Sequence, residues 1–209
     1  MRHWFSIAVV VGVVSAAVTP HLAAHEVARD LRRMQRHTFT VDEGLPNNGI
    51  EAIAQTGDGY MWFGTLKGLS RFDGVRFTNF TDANSALTPD TVFDIAAGPH
   101  NDVWIAHRSL SHYENGKFTT FGPKSGLPPI LHVAVAKDGT VWAMSRRNML
   151  RYDGRKFQMF GAKEGLPREG LSSFCIDTSG RVWVGTMGLG GYVLDDDHFR
   201  MTTARDAGA

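Results

Sequence analysis

The chain has 209 residues and one cysteine, with 22 basic and 21 acidic side chains giving a formal net charge of +1. So even a balance supplies no excess of cations for general binding to nucleic-acid phosphates. A lone Cys175 excludes an intramolecular disulfide framework and any cysteine-based zinc site.

Taken in chain order, residues 1–24 read as a secretory signal peptide. Arg2 is followed by the uncharged apolar run Ser6–Val18, Pro20 breaks it, and Leu22-Ala23-Ala24 offers a cleavage site. The run is too short to be a transmembrane helix, which needs about 20 apolar residues. A periplasmic or secreted location follows, with residues 25–37 as a linker and 204–209 as a tail. Without the leader, 21 basic residues face 21 acidic ones.

The remainder repeats. Beyond Trp4, tryptophans stand at 62, 104, 142 and 183. Each follows a turn: Thr56-Gly57-Asp58-Gly59, Pro99-His100-Asn101-Asp102, Lys137-Asp138-Gly139 and Thr178-Ser179-Gly180. About ten residues further on, an aromatic leads into a second turn at Phe72-Asp73-Gly74, Tyr113-Glu114-Asn115-Gly116 and Tyr152-Asp153-Gly154, and more loosely between Tyr192 and Asp197. The pairs Phe77/Phe80, Phe118/Phe121 and Phe157/Phe160 close the first three units. Gly-Leu-Pro marks the handover at 44–46, 126–128 and 165–167, and Ala86-Leu87-Thr88 stands in its place in the second unit.

Within the first unit the pattern predicts strands at Gly49–Gln55, Tyr60–Gly64, Leu69–Phe72 and Val75–Phe80, joined by Asp-Gly turns of hairpin type. Four antiparallel strands per unit of about 40 residues describe a β-propeller blade. The expected fold is therefore all-β, a β-propeller with four recognisable four-stranded blades near 47–80, 89–121, 129–160 and 168–203. The tryptophans and closing phenylalanines pack between blades, since one blade cannot bury both faces alone. Phe39 precedes Gly44 as Phe121 precedes Gly126, so Thr38–Val41 reads as an outermost strand with no blade of its own. With His198–Thr202 as another outer strand, four inner triplets meet five outer strands. That count points to the start of a longer propeller, a truncated product, or a subunit completed by another copy, ahead of a stand-alone four-bladed ring.

These residues resemble the two-component regulator propeller repeat, found in the extracytoplasmic sensor region of bacterial signalling receptors. The first unit carries the likeness in Glu43-Gly44-Leu45-Pro46-Asn47-Asn48, Asp58-Gly59-Tyr60-Met61-Trp62-Phe63-Gly64-Thr65 and Gly68-Leu69-Ser70-Arg71-Phe72-Asp73-Gly74. The fourth repeats Glu164-Gly165-Leu166-Pro167 and Val182-Trp183-Val184-Gly185-Thr186. The resemblance implies a sensor module that captures a small extracellular ligand, carbohydrate fragments being one common class. It further implies an output such as a histidine kinase joined through a membrane helix. No such module is recognisable in these residues, so kinase activity is not carried over.

Chemistry-bearing residues are sparse. His25, His37, His100, His107, His112, His132 and His198 show no helical i, i+4 pairing for a metal, and His107 with His112 flanks one hairpin as structural or solvent-facing residues. Asp195-Asp196-Asp197 reads as a solvated hairpin tip, because consecutive residues cannot converge on calcium. Gly188-Leu189-Gly190-Gly191 opens no helix and is no dinucleotide fingerprint. Cys175, in the apolar Phe174-Cys175-Ile176, is expected to be buried. No cofactor, metal or catalytic constellation is expected.

Binding is the better prospect. The loops leading into the innermost strands carry Asn47, Asn48, Asp90, Thr91, Arg168 and Glu169. The loops between second and third strands carry Lys67, Arg108, Arg146 and Arg147, each four or five residues after its tryptophan. The candidate ligand-binding set is Asn47, Asn48, Lys67, Asp90, Arg108, Arg146, Arg147 and Arg168. Its cations suit an anionic ligand such as a uronic-acid oligosaccharide, Arg offering bidentate hydrogen bonds to a carboxylate. The competing reading is that they solvate exposed turns. The expected partners are that ligand, a membrane receptor or kinase output, and further copies of the propeller. Two alternatives stand beside the sensor: a propeller lyase resembling the streptogramin lyases, with His132 the one histidine placed for it, and a protein-interaction scaffold.

Overall fold

Among the described residues, sixteen short strands form four antiparallel sheets of four, each built from consecutive strands. Blade 1 holds β1 (Ile50–Gln55), β2 (Met61–Thr65), β3 (Gly68–Phe72) and β4 (Phe77–Phe80). Blade 2 holds β5 (Asp94–Ala97), β6 (Val103–Ala106), β7 (Leu110–Glu114) and β8 (Lys117–Phe121). Blade 3 holds β9 (His132–Val135), β10 (Val141–Met144), β11 (Met149–Tyr152) and β12 (Phe157–Phe160). Blade 4 holds β13 (Leu171–Ile176), β14 (Val182–Thr186), β15 (Gly191–Asp195) and β16 (His198–Met201). This computed structural model describes residues 37–81, 87, 91–203 and 206. Contacts divide the chain into Met1–Thr38 and Phe39–Ala209, and the blades belong to the second unit. The leader, the linker up to residue 36, Asp90 and the tail apart from Asp206 lie outside the described residues.

Turn chemistry sets the strand ends. The third and fourth strands of blade 2 are joined by Asn115-Gly116 at φ 49° and 80°, and those of blade 4 by Asp196-Asp197 at 44° and 62°. Two successive positive φ values match the right-handed twist of a hairpin, and Asn, Gly and Asp tolerate them best. The carboxylates at this tip turn to different cations, Asp195 to Arg200 at 3.0 Å and Asp197 to Arg151 at 2.8 Å.

The repeat register is strict. Trp62, Trp104, Trp142 and Trp183 lie opposite Ala54, Ala96, Ala134 and Cys175 on the innermost strands. Trp62, Trp104 and Trp142 each sit on the trailing face of their blade, turned toward the next one, and Trp183 holds the same register on blade 4. Trp62 and Leu69 pack with Val103, Ile105 and Tyr113 of blade 2. Trp104 and Leu110 pack with Val141, Ala143 and Leu150 of blade 3. Trp142, Met144, Met149 and Phe160 pack with Val182, Val184 and Phe199 of blade 4. The core is therefore three inter-blade layers. Strands covered on both sides, β6 and β10, are buried at every residue, which is why two-residue alternation is faint in their sequences.

A relay of aromatic rings runs through the layers. Phe80 meets Tyr113 and Phe118 at 5.5 and 5.3 Å, Phe121 meets Tyr152 and Phe157 at 5.8 and 5.1 Å, and Phe160 meets Phe199 at 5.7 Å. The handover leucines Leu45, Leu87, Leu127 and Leu166 are all buried. Leu87 thus keeps its anchoring place although its flanking Gly and Pro have gone.

Two expectations are corrected. Thr38–Val41 forms no strand: residues 37–40 are irregular and Val41–Glu43 is a 3-10 turn. The Glu43 carboxylate accepts the Thr40 N–H at 2.7 Å, and the Thr40 hydroxyl accepts the Asp42 N–H at 3.2 Å. This reciprocal cap satisfies backbone donors locally, where a strand would need a partner edge. Phe39 nevertheless fills the relay position, 4.9 Å from Phe72 and 5.4 Å from Phe77. Every blade has its own outer strand, so the count of five is replaced by four complete blades. Cys175 is exposed rather than buried, because it lies on the trailing face of blade 4, where the inner blades meet their neighbours.

Candidate functional site

The described candidate residues sit on loops at one end of the blades, and backbone hydrogen bonds knit these loops into a collar. Within blade 1, Leu66 N donates to Gly49 O at 3.2 Å, and within blade 4, Met187 N donates to Gly170 O at 2.9 Å. Between blades, Val92 N donates to Thr65 O, Ile130 N to His107 O and Leu171 N to Arg146 O, at 2.9 to 3.0 Å. The segments leading into blades 2, 3 and 4 are thus held where the second strand of the blade before turns into its third.

Within the collar the side chains divide. Asn47 and Asn48 are turn-formers: Asn47 Oδ1 accepts the Gly49 N–H at 2.7 Å, and Asn48 Oδ1 accepts the Val41 N–H at 2.9 Å. Short side-chain amides bonding to nearby backbone are the usual means of fixing such bends. Lys67, Arg108, Arg146, Arg147 and Arg168 are exposed. Asp90 lies outside the described residues. Arg146 and Arg147 come together at one open cavity of about 420 Å³, lined also by Pro128, Pro129, Leu131, Ser145 and Asn148. Lys67, Arg108 and Arg168 belong to the collar but not to that cavity.

One pairing escaped the sequence. Asp94, opening β5, reaches blade 3, where its carboxylate accepts the Val133 N–H at 3.0 Å and lies 3.4 Å from His132 Nδ1. Asp94 and His132 hold the same register position, opposite Ala106 and Met144. Aligning the repeats by their tryptophans puts a carboxylate and a histidine at the same position of neighbouring blades, and the packing of the blades brings the two together.

The other histidines of blade 2 serve structure. His107 is buried and hydrogen-bonded to Ser111 Oγ at 2.8 Å. His112 stacks on Trp104 with ring centroids 4.2 Å apart. The Asp102 carboxylate accepts from His112 Nε2 at 2.8 Å, Trp104 Nε1 at 3.1 Å and the His100 N–H at 3.1 Å.

A larger groove, about 630 Å³, lies at the opposite end between blades 3 and 4 and is lined by Trp142, Arg151, Asp177, Arg181 and Asp197 among others. Its charges are matched internally, Arg181 to Asp177 at 2.7 Å and Arg151 to Asp197 at 2.8 Å. Hydrogen bonds from the Ser179 hydroxyl, the Trp183 indole and Arg181 hold the Asp177 carboxyl well below the usual carboxylate range. A groove whose ion pairs are already made has little left to offer a charged ligand, so the collar is the better candidate. Among the described residues no group of three or more His, Cys, Asp or Glu is placed to hold a metal ion.

Four-stranded antiparallel blades packed side by side through tryptophan-centred layers define a β-propeller protein. Residues 44–67 match the family model of the two component regulator propeller. Among solved structures, the chain is similar to the extracellular domain of a hybrid two component system from B. thetaiotaomicron, with 21% identity and a TM-score of 0.68 over 80% of this chain and 26% of that one. It is similar to the extracellular domain of a one component system from the same organism, with 20% identity and a TM-score of 0.63 over 84% and 24%. It is also similar to virginiamycin B lyase from Staphylococcus aureus, with 14% identity and a TM-score of 0.62 over 75% and 56%. The chain thus spans about a quarter of those extracellular domains and little more than half of the lyase. No curated protein matches the sequence.

Proposed function

We propose that this chain is an extracytoplasmic sensing module of two-component type, not catalytic in itself, that binds a small anionic ligand at its loop collar. The match of residues 44–67 to the two component regulator propeller carries this reading. The fold shared with two extracellular signalling domains supports it. The exposed Lys67, Arg108, Arg146, Arg147 and Arg168 supply the recognition chemistry, with Arg146 and Arg147 beside an open cavity. Uronic-acid oligosaccharides are the ligand class best suited to guanidinium groups that bind planar carboxylates in pairs. Output passes to a membrane-anchored partner. Calorimetric titration with uronic-acid and neutral oligosaccharides of equal length tests the proposal. Binding of the acidic series alone, weakened about tenfold or more by Arg108→Ala with Arg146→Ala, is the expected result. Equal affinity for both series, or indifference to the double substitution, overturns it.

The His132–Asp94 pair favours a second reading, a lyase. The relative from S. aureus has a catalytically inactive histidine-to-alanine form, described with quinupristin. A carboxylate at 3.4 Å could orient His132 as a general base. Turnover of a cyclic depsipeptide that disappears in His132→Ala would establish this reading, and tight ligand binding without turnover would retire it.

A further inference from the structure

We propose that the groove between blades 3 and 4 binds an uncharged phenolic ring, free or carried by a tyrosine side chain. The ring takes the place that a tyrosine of the chain itself fills at the two preceding junctions. The groove lies at the end opposite the collar, and the inference goes beyond the sensing role whichever ligand the collar takes. All three junctions are internal to the chain, so the comparison does not involve the outer faces of blades 1 and 4.

Blades 1, 2 and 3 carry a ring at one fixed register position of the third strand. These are Phe72, Tyr113 and Tyr152, paired with Phe77, Phe118 and Phe157 of the outer strands. In blade 4 the position falls to Leu194, opposite Phe199. Tyr113 and Tyr152 close their junctions against the tryptophan of the blade before. Tyr113 stands 5.0 Å from Trp62 with the planes at 60°, and Tyr152 stands 5.5 Å from Trp104 at 55°. Each also meets the preceding closing phenylalanine, Phe80 at 5.5 Å and Phe121 at 5.8 Å. At the third junction Trp142 and Phe160 are in place, 5.6 Å apart, but the shorter Leu194 stands where the tilted ring would be.

The groove of about 630 Å³ opens at this place, with Trp142, Ile176, Val182 and Leu194 as its apolar floor. Its volume is within the about 300–1,000 Å³ of small-ligand pockets. The first junction is closed further by Asn101, whose Oδ1 accepts the Asp58 N–H at 2.9 Å across the two blades. Gly139 and Gly180 hold the Asn101 position, three residues before the tryptophan, in blades 3 and 4.

The first junction also shows what the polar end of the ring meets. Arg71 lies opposite Trp62 and donates from Nη1 to the Tyr113 hydroxyl at 3.5 Å. Arg151 lies opposite Trp142 in the same register and lines the groove. Its charge is already met by Asp197 at 2.8 Å, so a neutral hydroxyl suits it better than a second carboxylate. A ring offers a face to the guanidinium and an edge to the indole, which an aliphatic group of the same size lacks. The rim is polar, with Lys137 Nζ donating to the Thr178 carbonyl across it at 3.3 Å.

Titration of the full chain with para-cresol, followed through the indole N–H resonances of the tryptophans, tests the proposal. A saturable shift at Trp142 is expected, with Trp62 and Trp104 unmoved. The saturated analogue methylcyclohexanol is expected to bind about tenfold or more weakly. Tighter binding of N-acetyl-tyrosinamide than of para-cresol supports a tyrosyl peptide as the source, and weaker binding supports a free phenol. Leu194→Tyr supplies the ring from the chain and is expected to weaken para-cresol binding about tenfold or more, while Leu194→Ala keeps it within about threefold. Circular dichroism establishes that each variant keeps its β spectrum. If Leu194→Tyr loses it, Leu194→Phe, which matches Phe72 of blade 1, replaces it. No saturable shift at Trp142, equal binding of methylcyclohexanol, or binding that survives the added ring each overturns the proposal.

Discussion

Replacing Phe160 with alanine removes a ring that is fully buried between blades 3 and 4. The ring lies 5.6 Å from Trp142 and 5.7 Å from Phe199, with the Arg151 guanidinium 5.4 Å from its centroid. A buried Phe→Ala change costs about 3–5 kcal/mol, including the cavity left behind, and two lost aromatic contacts of about 0.5–1.5 kcal/mol each keep this one above the lower end. At about 4 kcal/mol, and with a urea dependence of about 2 kcal/mol per molar, the unfolding midpoint falls by about 2 M. Urea titration followed by tryptophan fluorescence reads this directly. Met159→Ala serves as the control, since its side chain is 42% exposed on the neighbouring position of the same strand and should cost less than about 1 kcal/mol. If the two variants lose equal stability, or if Phe160→Ala moves the midpoint by less than about 0.5 M, the inter-blade layers are not what holds the blades together.

Two further outcomes follow from the same geometry. A Cβ added at Gly64 would stand 2.5 Å from Val92 Cγ1, on the strand-side approach of blade 2, so Gly64→Ala should lower stability by about 1–3 kcal/mol through overpacking. At the equivalent Gly185 the nearest atoms are hydroxyl oxygens of Ser173 and Ser172, and Gly185→Ala should cost under about 1 kcal/mol, so equal losses in thermal melts would contradict the layer model. For acid stability, the Asp177 carboxyl titrates near 3.8 in the unfolded chain and lower when folded, held down first by Ser179 and then by Trp183 and Arg181. Its contribution is therefore complete above about pH 3.8 and is lost as the pH falls through the lower folded value. The Trp183 indole N–H resonance should stay fixed from neutral pH down to about 4 and shift only below that, and Asp177→Asn should abolish the shift. A transition centred above 3.8 would refute the assignment.

The blades were legible because turns and aromatics recur at fixed offsets from each tryptophan. The innermost-strand expectation Gly49–Gln55 differs from Ile50–Gln55 by one residue. The outer strand is shorter than expected, starting at Phe77 because the Asp73 carboxylate accepts the Val75 and Arg76 N–H groups at 2.8 and 2.7 Å and keeps them in the turn. Thr38–Val41 misled because Phe39 keeps the spacing of a closing phenylalanine while its backbone is held by Glu43. Apolar spacing records which ring packs where, and says nothing of which edge the backbone pairs with. Cys175 misled for a related reason: its neighbours Phe174 and Ile176 face the layer with blade 3, while Cys175 itself points the other way. The candidate cations lie on the inter-strand loops that the repeat spacing assigns them to, but the link between Asp94 and His132 depends on how adjacent blades lean together. No single unit's sequence contains that angle.

The relay of closing phenylalanines also bears on how such a chain is made and remade. Blades 1 and 2 present their successors with the same chemistry, an aromatic ring entering a pair of aromatics, as Phe121 enters Tyr152 and Phe157, and Phe160 of blade 3 meets the single ring of Phe199. Gly126 and Gly165 occupy equivalent left-handed positions after equivalent 3-10 turns. Joining the chain at those two glycines would excise blade 3 and bring Phe121 against Leu194 and Phe199, which hold the register positions of Tyr152 and Phe157, a receptor that keeps one ring and its apolar character. Segments that begin and end at these glycines therefore meet the same backbone geometry at either end. Their duplication or loss can alter the number of blades without requiring a new interface to evolve.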